Sequence, residues 1–319
     1  MRSAYRKYVH EEGIAVALDF LFQESALGQG QIRNSLCVQK ICRFALYYPA
    51  KFIIYPSGIY SFMITKKTPE EIEVLKEAGA ILARMLKEIA KEAVPGVSTL
   101  ALDDKAMELA EKYTVVPILL GYHPGFAARP YPAAVCVSVN NCVQHGIPSE
   151  EVVLEEGDVV NIDMSIEYKG MVVDSGITVG VGEIDDESRK LLAATQEALA
   201  LGIKAAQPGA RIGDISAAIQ KLVESRGMSV VEVLCGHGVG YSIHEEPNIP
   251  NFGKAGTGPK IEVGHVYAIE PIVNVGTPDV FFDDEGDGYS VYTADDSWSA
   301  HFEHTVAITE NGPVILTKE

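Results

Sequence analysis

The chain has 319 residues, of which 47% are hydrophobic and 22% charged, a balance that is typical of a globular protein with a sizeable core. Its formal net charge of −18 at pH 7 argues against nucleic acid as a main partner, because phosphate binding requires a basic face. The five cysteines form no C-x-x-C pair, which disfavours a disulfide framework and favours a reducing cytosol. No apolar run is long enough to predict a transmembrane helix.

Residues 1–62 differ in charge from the rest of the chain. They carry seven basic and four acidic residues, whereas the remainder has a strong acidic excess. This asymmetry marks a separate region, in which the only helical pattern lies at Glu11–Phe22. We expect 1–62 to be an N-terminal extension that is poorly ordered or not native, in which case the native chain starts at Met63. Residues 63–319 are predicted to form a single domain.

A first pair of helices is predicted directly after this region. Thr68 has the properties of an N-cap, Pro69 suits the first helical position, and two glutamates follow in the first turn. Apolar residues then recur at helical spacing until the Pro-Gly pair at 95–96 ends the helix. A second helix is predicted from about Thr99 to Tyr113.

The same order recurs in the second half of the chain. Helices are predicted at Asp186–Ala206 and Ile212–Arg226, and a Pro-Gly turn at 208–209 joins them as in the first pair. We interpret this as two related α+β halves that face one another. The predicted strands are Val135–Val139, Val159–Ile166, Met171–Val179, Val230–Leu234, His265–Val275, Tyr289–Tyr292, Phe302–Thr309 and Val314–Leu316.

Two aspartates stand on neighbouring predicted strands. Asp163 and Asp174 each lie among apolar residues, and the short turn at 168–170 predicts that their strands pair as a hairpin. Two buried carboxylates that lie close together repel each other unless a cation compensates them. An acid near a strand end often caps a turn. Either aspartate alone would therefore be weaker evidence for a cation site than the two together.

Three further residues complete a candidate metal site. Glu270 and Glu303 are single acids on apolar runs, and His237 stands among three glycines that supply no packing but permit close approach of the backbone. A plain turn with one satisfied histidine is the alternative for that glycine-rich stretch, 235–247. Carboxylates with imidazole suit Mn, Fe, Co or Zn, and several acids fit two ions better than one.

The other histidines fall into two groups. His145 and His244 are predicted near strand ends, where they could hold a substrate or stabilise an oxyanion. The remaining four are interpreted as structural residues or as neighbours of the site, because a lone histidine usually has one of these two roles. They are His123, His265, His301 and His304.

Eight short motifs follow one another between about Met63 and Lys318. They are Val139-Asn140, His145-Gly146-Ile147-Pro148, Asn161-Ile162-Asp163, Asp174-Ser175-Gly176, Gly236–Gly240, His244-Glu245-Glu246-Pro247, Ala268-Ile269-Glu270-Pro271 and Phe302-Glu303-His304-Thr305. Together they resemble the motif series of the type I methionine aminopeptidases. The resemblance implies a pita-bread fold, in which two pseudo-symmetric helix-helix-strand halves surround a dinuclear metal site. Type II members have a helical insertion, for which the interval 245–269 is too short.

The resemblance implies a catalytic metallopeptidase domain at 63–319 that removes the N-terminal methionine from nascent proteins and peptides. The implied cofactors are two divalent metal ions. Asp163 would chelate one ion, Asp174 and Glu303 would bridge, and His237 and Glu270 would complete the other. A hydroxide held between the metals would attack the scissile amide, with a preference for substrates whose second residue is small.

The resemblance also implies roles in catalysis and substrate binding. Glu270 would be the general base, His244 would stabilise the oxyanion, and His145 would contact the scissile amide. The implied methionine pocket suits a polarizable thioether. Its residues are Tyr122, Tyr131, Cys136, Ile243 and Tyr289. The chain departs from the family at Ile243, where an aromatic residue is common, and at Tyr289, where tryptophan is common.

Two other functions are compatible with parts of the sequence. A proline-specific aminopeptidase or dipeptidase has the same fold, but usually has a larger N-terminal domain than 1–62 would provide. A non-catalytic homologue that binds protein or RNA would lose metal ligands, whereas all five positions are filled here. We expect a cytoplasmic monomer that acts on the N-termini of nascent polypeptides, with the ribosome as a further candidate partner, and we expect no membrane and no direct nucleic-acid binding.

Overall fold

The computed structural model describes residues 64–125, 127–284 and 286–319. The predicted extension, 1–62, and its helical pattern at Glu11–Phe22 lie outside these ranges, so both stay predictions. Within the described ranges, none of the helices combines the length and apolar character needed to cross a membrane.

Four helices lie in the described part of the chain, in the two pairs that the sequence predicts. At the start of the first helix, Thr68 Oγ1 accepts a hydrogen bond from Glu71 N at 3.2 Å, and Glu71 Oε2 accepts one from Thr68 N at 2.7 Å. This reciprocal capping explains why the helix begins at Pro69. The helices are α1 (Pro69–Glu92), α2 (Thr99–Tyr113), α3 (Asp186–Ala205) and α4 (Ile212–Ser225).

The described strands follow each helix pair. Those after the first pair are β1 (Val116–Pro117), β2 (Cys136–Val139), β3 (Cys142–Gln144), β4 (Val159–Tyr168) and β5 (Met171–Gly180). Those after the second pair are β6 (Ser229–Val230), β7 (Cys235–Gly238), β8 (Glu245–Pro250), β9 (Val266–Ile269), β10 (Ile272–Asn274), β11 (Val280–Phe282), β12 (Val291–Thr293), β13 (Ser299–His301), β14 (His304–Thr309) and β15 (Gly312–Ile315).

Two sheets carry the candidate site. In the first, β4 pairs with β1 and β2 and forms an antiparallel hairpin with β5, as predicted. The second has the strand order β15-β14-β9-β7-β8. The remaining paired strands form the orders β13-β10-β6 and β11-β12-β3.

Several strand predictions are wrong in extent. The predicted strand His265–Val275 divides into β9 and β10 around Glu270-Pro271, because proline has no N–H group for a sheet ladder. Of the predicted strand Val230–Leu234, only Val230 lies in a strand, β6. The glycine-rich segment around His237 forms the strand β7. Strand β14 begins at His304, so Glu303 precedes it.

Each helix pair covers its own hydrophobic cluster. Side chains of α1 and α2, such as Leu82 and Leu102, pack with residues of β4 and β5. Side chains of α3 and α4, such as Leu191 and Ile219, pack with residues of β9 and β14. The observed order of helix, helix and strands therefore occurs twice, and each round has a core of its own.

Candidate active site

The register of the β4–β5 hairpin brings the two predicted aspartates to one face. Asp163 lies opposite Gly176, and Ser165 lies opposite Asp174. Because side chains alternate along a strand, these four residues share a face of the sheet. Asp174 is buried, and its Oδ1 accepts a hydrogen bond of 2.7 Å from Ser165 Oγ.

The second sheet supplies a histidine and two glutamates. His237 of β7 lies opposite Ala268 of β9, and Glu270 comes two residues later in the chain. His304 of β14 pairs with Ile269, so the residues just beyond this pair are Glu303 and Glu270. The antiparallel register therefore brings these two glutamates to facing positions.

Hydrogen bonds join β5 to the start of β14. Glu303 N donates to Gly176 O at 2.9 Å, and Ser175 Oγ donates to Glu303 O at 2.7 Å. Thr305 Oγ1 donates to Asp174 O at 2.7 Å and accepts from Asp174 N at 2.9 Å. These contacts hold the acids of both sheets beside one another.

The side chains converge on one buried point. Ligand atoms of Asp174, His237 and Glu303 lie within 4.8 Å of one another. His237 Nε2 also lies 3.5 Å from Glu270 Oε1. Asp163 is half-buried on the same face of the hairpin as Asp174. All five positions predicted for metal ligands thus belong to this region, and their ligand roles stay predictions.

The acids of this cluster are electrostatically uncompensated by protein cations. Burial, followed by repulsion from neighbouring acids, raises the pKa values of Asp163, Glu270 and Glu303 well above their usual range. Burial also raises the pKa of Asp174, although His237 opposes this shift. Within 64–125, 127–284 and 286–319, no lysine or arginine forms an ion pair with these four acids. Glu303 Oε1 is buried without a hydrogen-bond partner there, so the residues fit bound divalent cations.

His237 has the tautomer that a metal ligand requires. Its Nδ1 lies 2.9 Å from Gly238 O, and a carbonyl oxygen only accepts, so Nδ1 carries the proton. Nε2 then presents a lone pair towards Asp174 and Glu270. Burial lowers the pKa of His237, which keeps the ring neutral. A backbone carbonyl that orients an imidazole in this way is typical of metal-binding histidines.

His244 lies beside this ligand candidate. Its exposed ring meets the His237 ring edge to face, with centroids 4.5 Å apart. Its Nδ1 lies 3.0 Å from Tyr122 Oη. Burial raises the pKa of Tyr122, so the phenol keeps its proton and can donate a hydrogen bond to Nδ1. With the phenol as the donor, His244 has its proton on Nε2, as an oxyanion donor requires.

His145 follows β3 in a constrained backbone conformation. Its φ of 60° lies in the left-handed region, and Gly146 O accepts hydrogen bonds of 2.9 Å from both Val137 N and Tyr131 Oη. These contacts fix the path of the chain next to the histidine. Burial lowers the pKa of His145 to about 4, so its ring is neutral.

The predicted pocket residues form two groups. Tyr131, Cys136 and Tyr289 are buried in one cluster, where the two tyrosine rings meet at 82° with centroids 5.1 Å apart. Cys136 also lies opposite Asp163 in the β2–β4 ladder, which connects this cluster to the acids. Ile243 instead belongs to the core beneath α1 and α2, and Tyr122 is a partly buried residue that packs against this core.

His301, which is interpreted from the sequence as a structural residue or a neighbour of the site, lies beside the acids. It is fully buried, and its Nε2 lies 3.8 Å from Glu270 Oε2 and 3.9 Å from Glu303 Oε2. A signal was present in the sequence, because His301 precedes Glu303 by two residues and extended chain puts such residues on one face.

Comparisons with known proteins agree with this geometry. The model of metallopeptidase family M24 matches residues 73–310. The methionine aminopeptidase of Aquifex aeolicus is 46% identical over 252 residues, which cover 78% of this chain and 96% of the relative. The crystal structure of methionine aminopeptidase from Thermotoga maritima is 44% identical with a TM-score of 0.77, and the match covers 81% of this chain and 100% of that chain.

The chain therefore belongs to metallopeptidase family M24, and its predicted resemblance to the methionine aminopeptidases within that family is confirmed. Prolidase from Pyrococcus furiosus has a TM-score of 0.62 at 24% identity, over 80% of this chain and 66% of that chain. This second likeness shows a shared fold alone. The mixed α and β architecture is thus the pita-bread fold of the family.

Proposed function

We propose that this protein is a metalloaminopeptidase that removes the N-terminal methionine from nascent proteins and peptides. We include in the proposal a preference for a small second residue and membership of type I. The observation that carries it is the buried convergence of Asp174, His237 and Glu303 in a chain 46% identical to a methionine aminopeptidase. The uncompensated acids support a hydrolase that depends on metal ions.

The proposed cofactors are two divalent ions, Mn, Fe, Co or Zn, held by five side chains. These are Asp163, Asp174, His237, Glu270 and Glu303. Mixed carboxylate and imidazole donors suit these metals, and the His237 tautomer and the orphaned Glu303 oxygen support the assignment. Bound ions would polarise the scissile carbonyl and lower the pKa of the attacking water.

Three side chains are proposed to carry out the proton transfers and charge stabilisation. Glu270 takes the proton of the attacking water and passes it to the leaving amine, a role that its raised pKa favours. His244 donates its Nε2–H to the developing oxyanion. His145, neutral at physiological pH, contacts the scissile amide and assists the leaving amine.

The methionine side chain is proposed to bind among Tyr122, Tyr131, Cys136, Ile243 and Tyr289. Edge-to-face rings at Tyr131 and Tyr289 offer apolar surface to a thioether. Burial raises the pKa of Cys136 well above its usual range, so its thiol is neutral and adds a soft apolar contact. The backbone contacts of Tyr131 give this wall a fixed shape.

We also propose that the enzyme is a cytoplasmic monomer. Two described cysteines, Cys136 and Cys142, are buried free thiols, which supports a reducing compartment. Contact with the ribosome during the removal of methionine remains an expectation from the family resemblance.

Titration of the metal-free protein with Mn²⁺, Fe²⁺, Co²⁺ or Zn²⁺ tests this function. We expect metal-dependent release of methionine from Met-Ala-Ser and little hydrolysis of an Xaa-Pro peptide. Preferential Xaa-Pro cleavage would support the proline-specific alternative, and no hydrolysis with any metal would support a non-catalytic homologue. Full activity in Glu270→Ala would refute the site proposed here.

A further inference from the structure

Residues of two neighbouring strands, β4 and β5, enclose the ring of His301. A side chain at Gly176 would place its Cβ 2.5 Å from His301 Cε1, so only glycine leaves room for the imidazole. Thr178 Oγ1 accepts a hydrogen bond from His301 N and donates one to His301 O. Asn161 closes another side of the ring. The ring is fully buried and confined by specific contacts on several sides.

The hydrogen bonds of Asn161 fix the tautomer of this ring. Asn161 Nδ2 lies 3.1 Å from His301 O, and because a carbonyl oxygen only accepts, the amide must present its NH₂ group at this position. The same NH₂ group lies 3.0 Å from His301 Nδ1, which therefore accepts. The proton of the neutral ring is consequently on Nε2.

This Nε2–H group points at the two glutamates. Within the described residues it has no hydrogen-bond partner, although Glu270 Oε2 and Glu303 Oε2 lie at 3.8 Å and 3.9 Å. Both distances exceed those of a direct hydrogen bond, so a small carboxylate movement or a bridging water is needed to complete the contact. A buried donor aimed at two acids favours their ionised forms.

His237 and His301 therefore face Glu270 from two sides with opposite chemistry. Glu270 Oε1 lies 3.5 Å from His237 Nε2, which has a lone pair, whereas Glu270 Oε2 lies nearer the donor of His301. Glu303 likewise turns Oε2 towards His301. The two oxygens of Glu270 thus have distinct surroundings, one suited to a metal and one to a hydrogen-bond donor.

We propose that His301 is a positioning residue whose Nε2–H donates to Glu270 and Glu303 and fixes which oxygen each glutamate turns towards the metal ions. This inference rests on the proposed metal site and adds a residue that contacts neither substrate nor metal. Outer hydrogen-bond partners of this kind orient the ligands and raise metal affinity.

Metal binding by three variants of the full chain tests the proposal. His301→Leu removes the donor, while His301→Gln retains an amide N–H near the Nε2 position. His265→Gln is the matched control, because His265 is buried but its Nδ1 contacts Tyr267 Oη rather than the acids. Calorimetric titration of metal-free protein with Mn²⁺ should show affinity about 10–100-fold weaker for His301→Leu, and within about threefold of the parent for the two glutamine variants.

A kinetic measurement separates positioning from substrate contact. At saturating Mn²⁺, His301→Leu should lower kcat for Met-Ala-Ser and leave KM nearly unchanged, because His301 does not touch the peptide. Unchanged Mn²⁺ affinity in His301→Leu, or equal losses in His301→Gln and His301→Leu, would overturn the proposal. Wild-type protein that binds Mn²⁺ but releases no methionine would instead refute the proposed function alone.

Nitrogen-15 spectra of histidine-labelled wild-type protein test the tautomer directly, even if His301→Leu does not fold. The His301 signal is the one that His301→Gln lacks. It should show the Nε2–H tautomer both without metal and with Zn²⁺. An Nδ1–H tautomer, or loss of the Nε2 proton when Zn²⁺ is added, would overturn the positioning role.

Discussion

Lys67 Nζ lies 2.6 Å from Glu245 Oε2, and the side chains of both residues are almost fully buried, with exposures of 1% and 8%. Glu245 follows His244 directly in the chain. Its other oxygen, Oε1, accepts hydrogen bonds from the backbone N–H groups of Tyr241 and Ser242. The segment that precedes α1 is therefore joined by this ion pair to the loop that carries His244, and the pair holds that loop in place.

Replacement of Lys67 by methionine should destabilise the protein by about 3–5 kcal/mol, because it leaves the Glu245 carboxylate buried without its cation. Burial acts to raise the pKa of Glu245, but Lys67 lowers it on balance. In Lys67→Met that pKa should rise, so protonation relieves the unpaired charge and the loss should become smaller as the pH falls. Urea unfolding at neutral and at mildly acidic pH measures both effects.

The control is Lys169→Met, which removes an exposed ion pair with Glu77. Since exposed pairs contribute little, its unfolding midpoint should remain close to that of the parent. Equal midpoints for Lys67→Met and Lys169→Met would contradict the anchoring role of the buried pair.

Tyr122→Phe should lower kcat by at least about tenfold, because we propose that the Tyr122 hydroxyl donates to His244 Nδ1 and keeps the proton on Nε2, the nitrogen proposed to face the oxyanion. KM should change less, since the ring itself remains. Steady-state hydrolysis of Met-Ala-Ser gives both values.

Tyr113→Phe is a matched hydroxyl deletion away from the site, where Tyr113 Oη donates to Glu88 Oε1 at 2.9 Å. Its kcat should equal that of the parent. If Tyr122→Phe behaves like this control, the Tyr122 hydroxyl does not set the His244 tautomer.

The helices were predictable because their signals are local. Capping groups at Thr68 and the apolar spacing of α1 depend on neighbours within one turn, and the structure agrees with them. The split between β9 and β10 was missed because Ile269 and Ile272 continue an apolar run across Pro271. The pattern of apolar side chains alone does not show where a sheet requires a backbone N–H group, which Pro271 lacks.

The candidate site shows a similar limit. Isolated acids on apolar strands predicted where charge would gather, and Asp174, His237 and Glu303 do meet. The part played by His301 depends on Asn161, which is distant in sequence and fixes the tautomer of the ring across a sheet. Such long-range hydrogen bonds follow from register, which one sequence specifies only in part.

Gly146→Ala should destabilise the protein by about 1–3 kcal/mol and reduce kcat, because a Cβ at Gly146 would lie 2.3 Å from the carbonyl oxygen of Val137. Val137 belongs to β2, so relief of the clash requires movement of the backbone that carries His145. Urea unfolding and Met-Ala-Ser hydrolysis check the two effects.

Gly125→Ala provides the comparison, since a Cβ at Gly125 would have no heavy atom within 4 Å. Its stability should match the parent within about 0.5 kcal/mol. A stable and active Gly146→Ala would show that the chain around His145 tolerates displacement.

Metal binding should release protons and strengthen as the pH rises. The pKa values of Asp163, Glu270 and Glu303 are raised by burial and mutual repulsion, so the metal-free protein binds more protons at these groups than the unfolded chain does. Their contribution to the free energy of unfolding therefore decreases as the pH rises from the usual carboxyl range through the raised values. Metal ions need the ionised forms and reverse this penalty.

The increase in Tm on addition of Mn²⁺ should consequently be larger at pH 7.5 than at pH 5.5, as thermal unfolding would show. Titration calorimetry in buffers of different ionisation enthalpy should report proton release. Glu303→Gln removes one of the raised carboxyl groups, so it should release fewer protons and bind Mn²⁺ more weakly. A binding enthalpy that is independent of the buffer would mean that these acids are already ionised in the metal-free protein, and that the cluster is compensated by groups other than the bound metal.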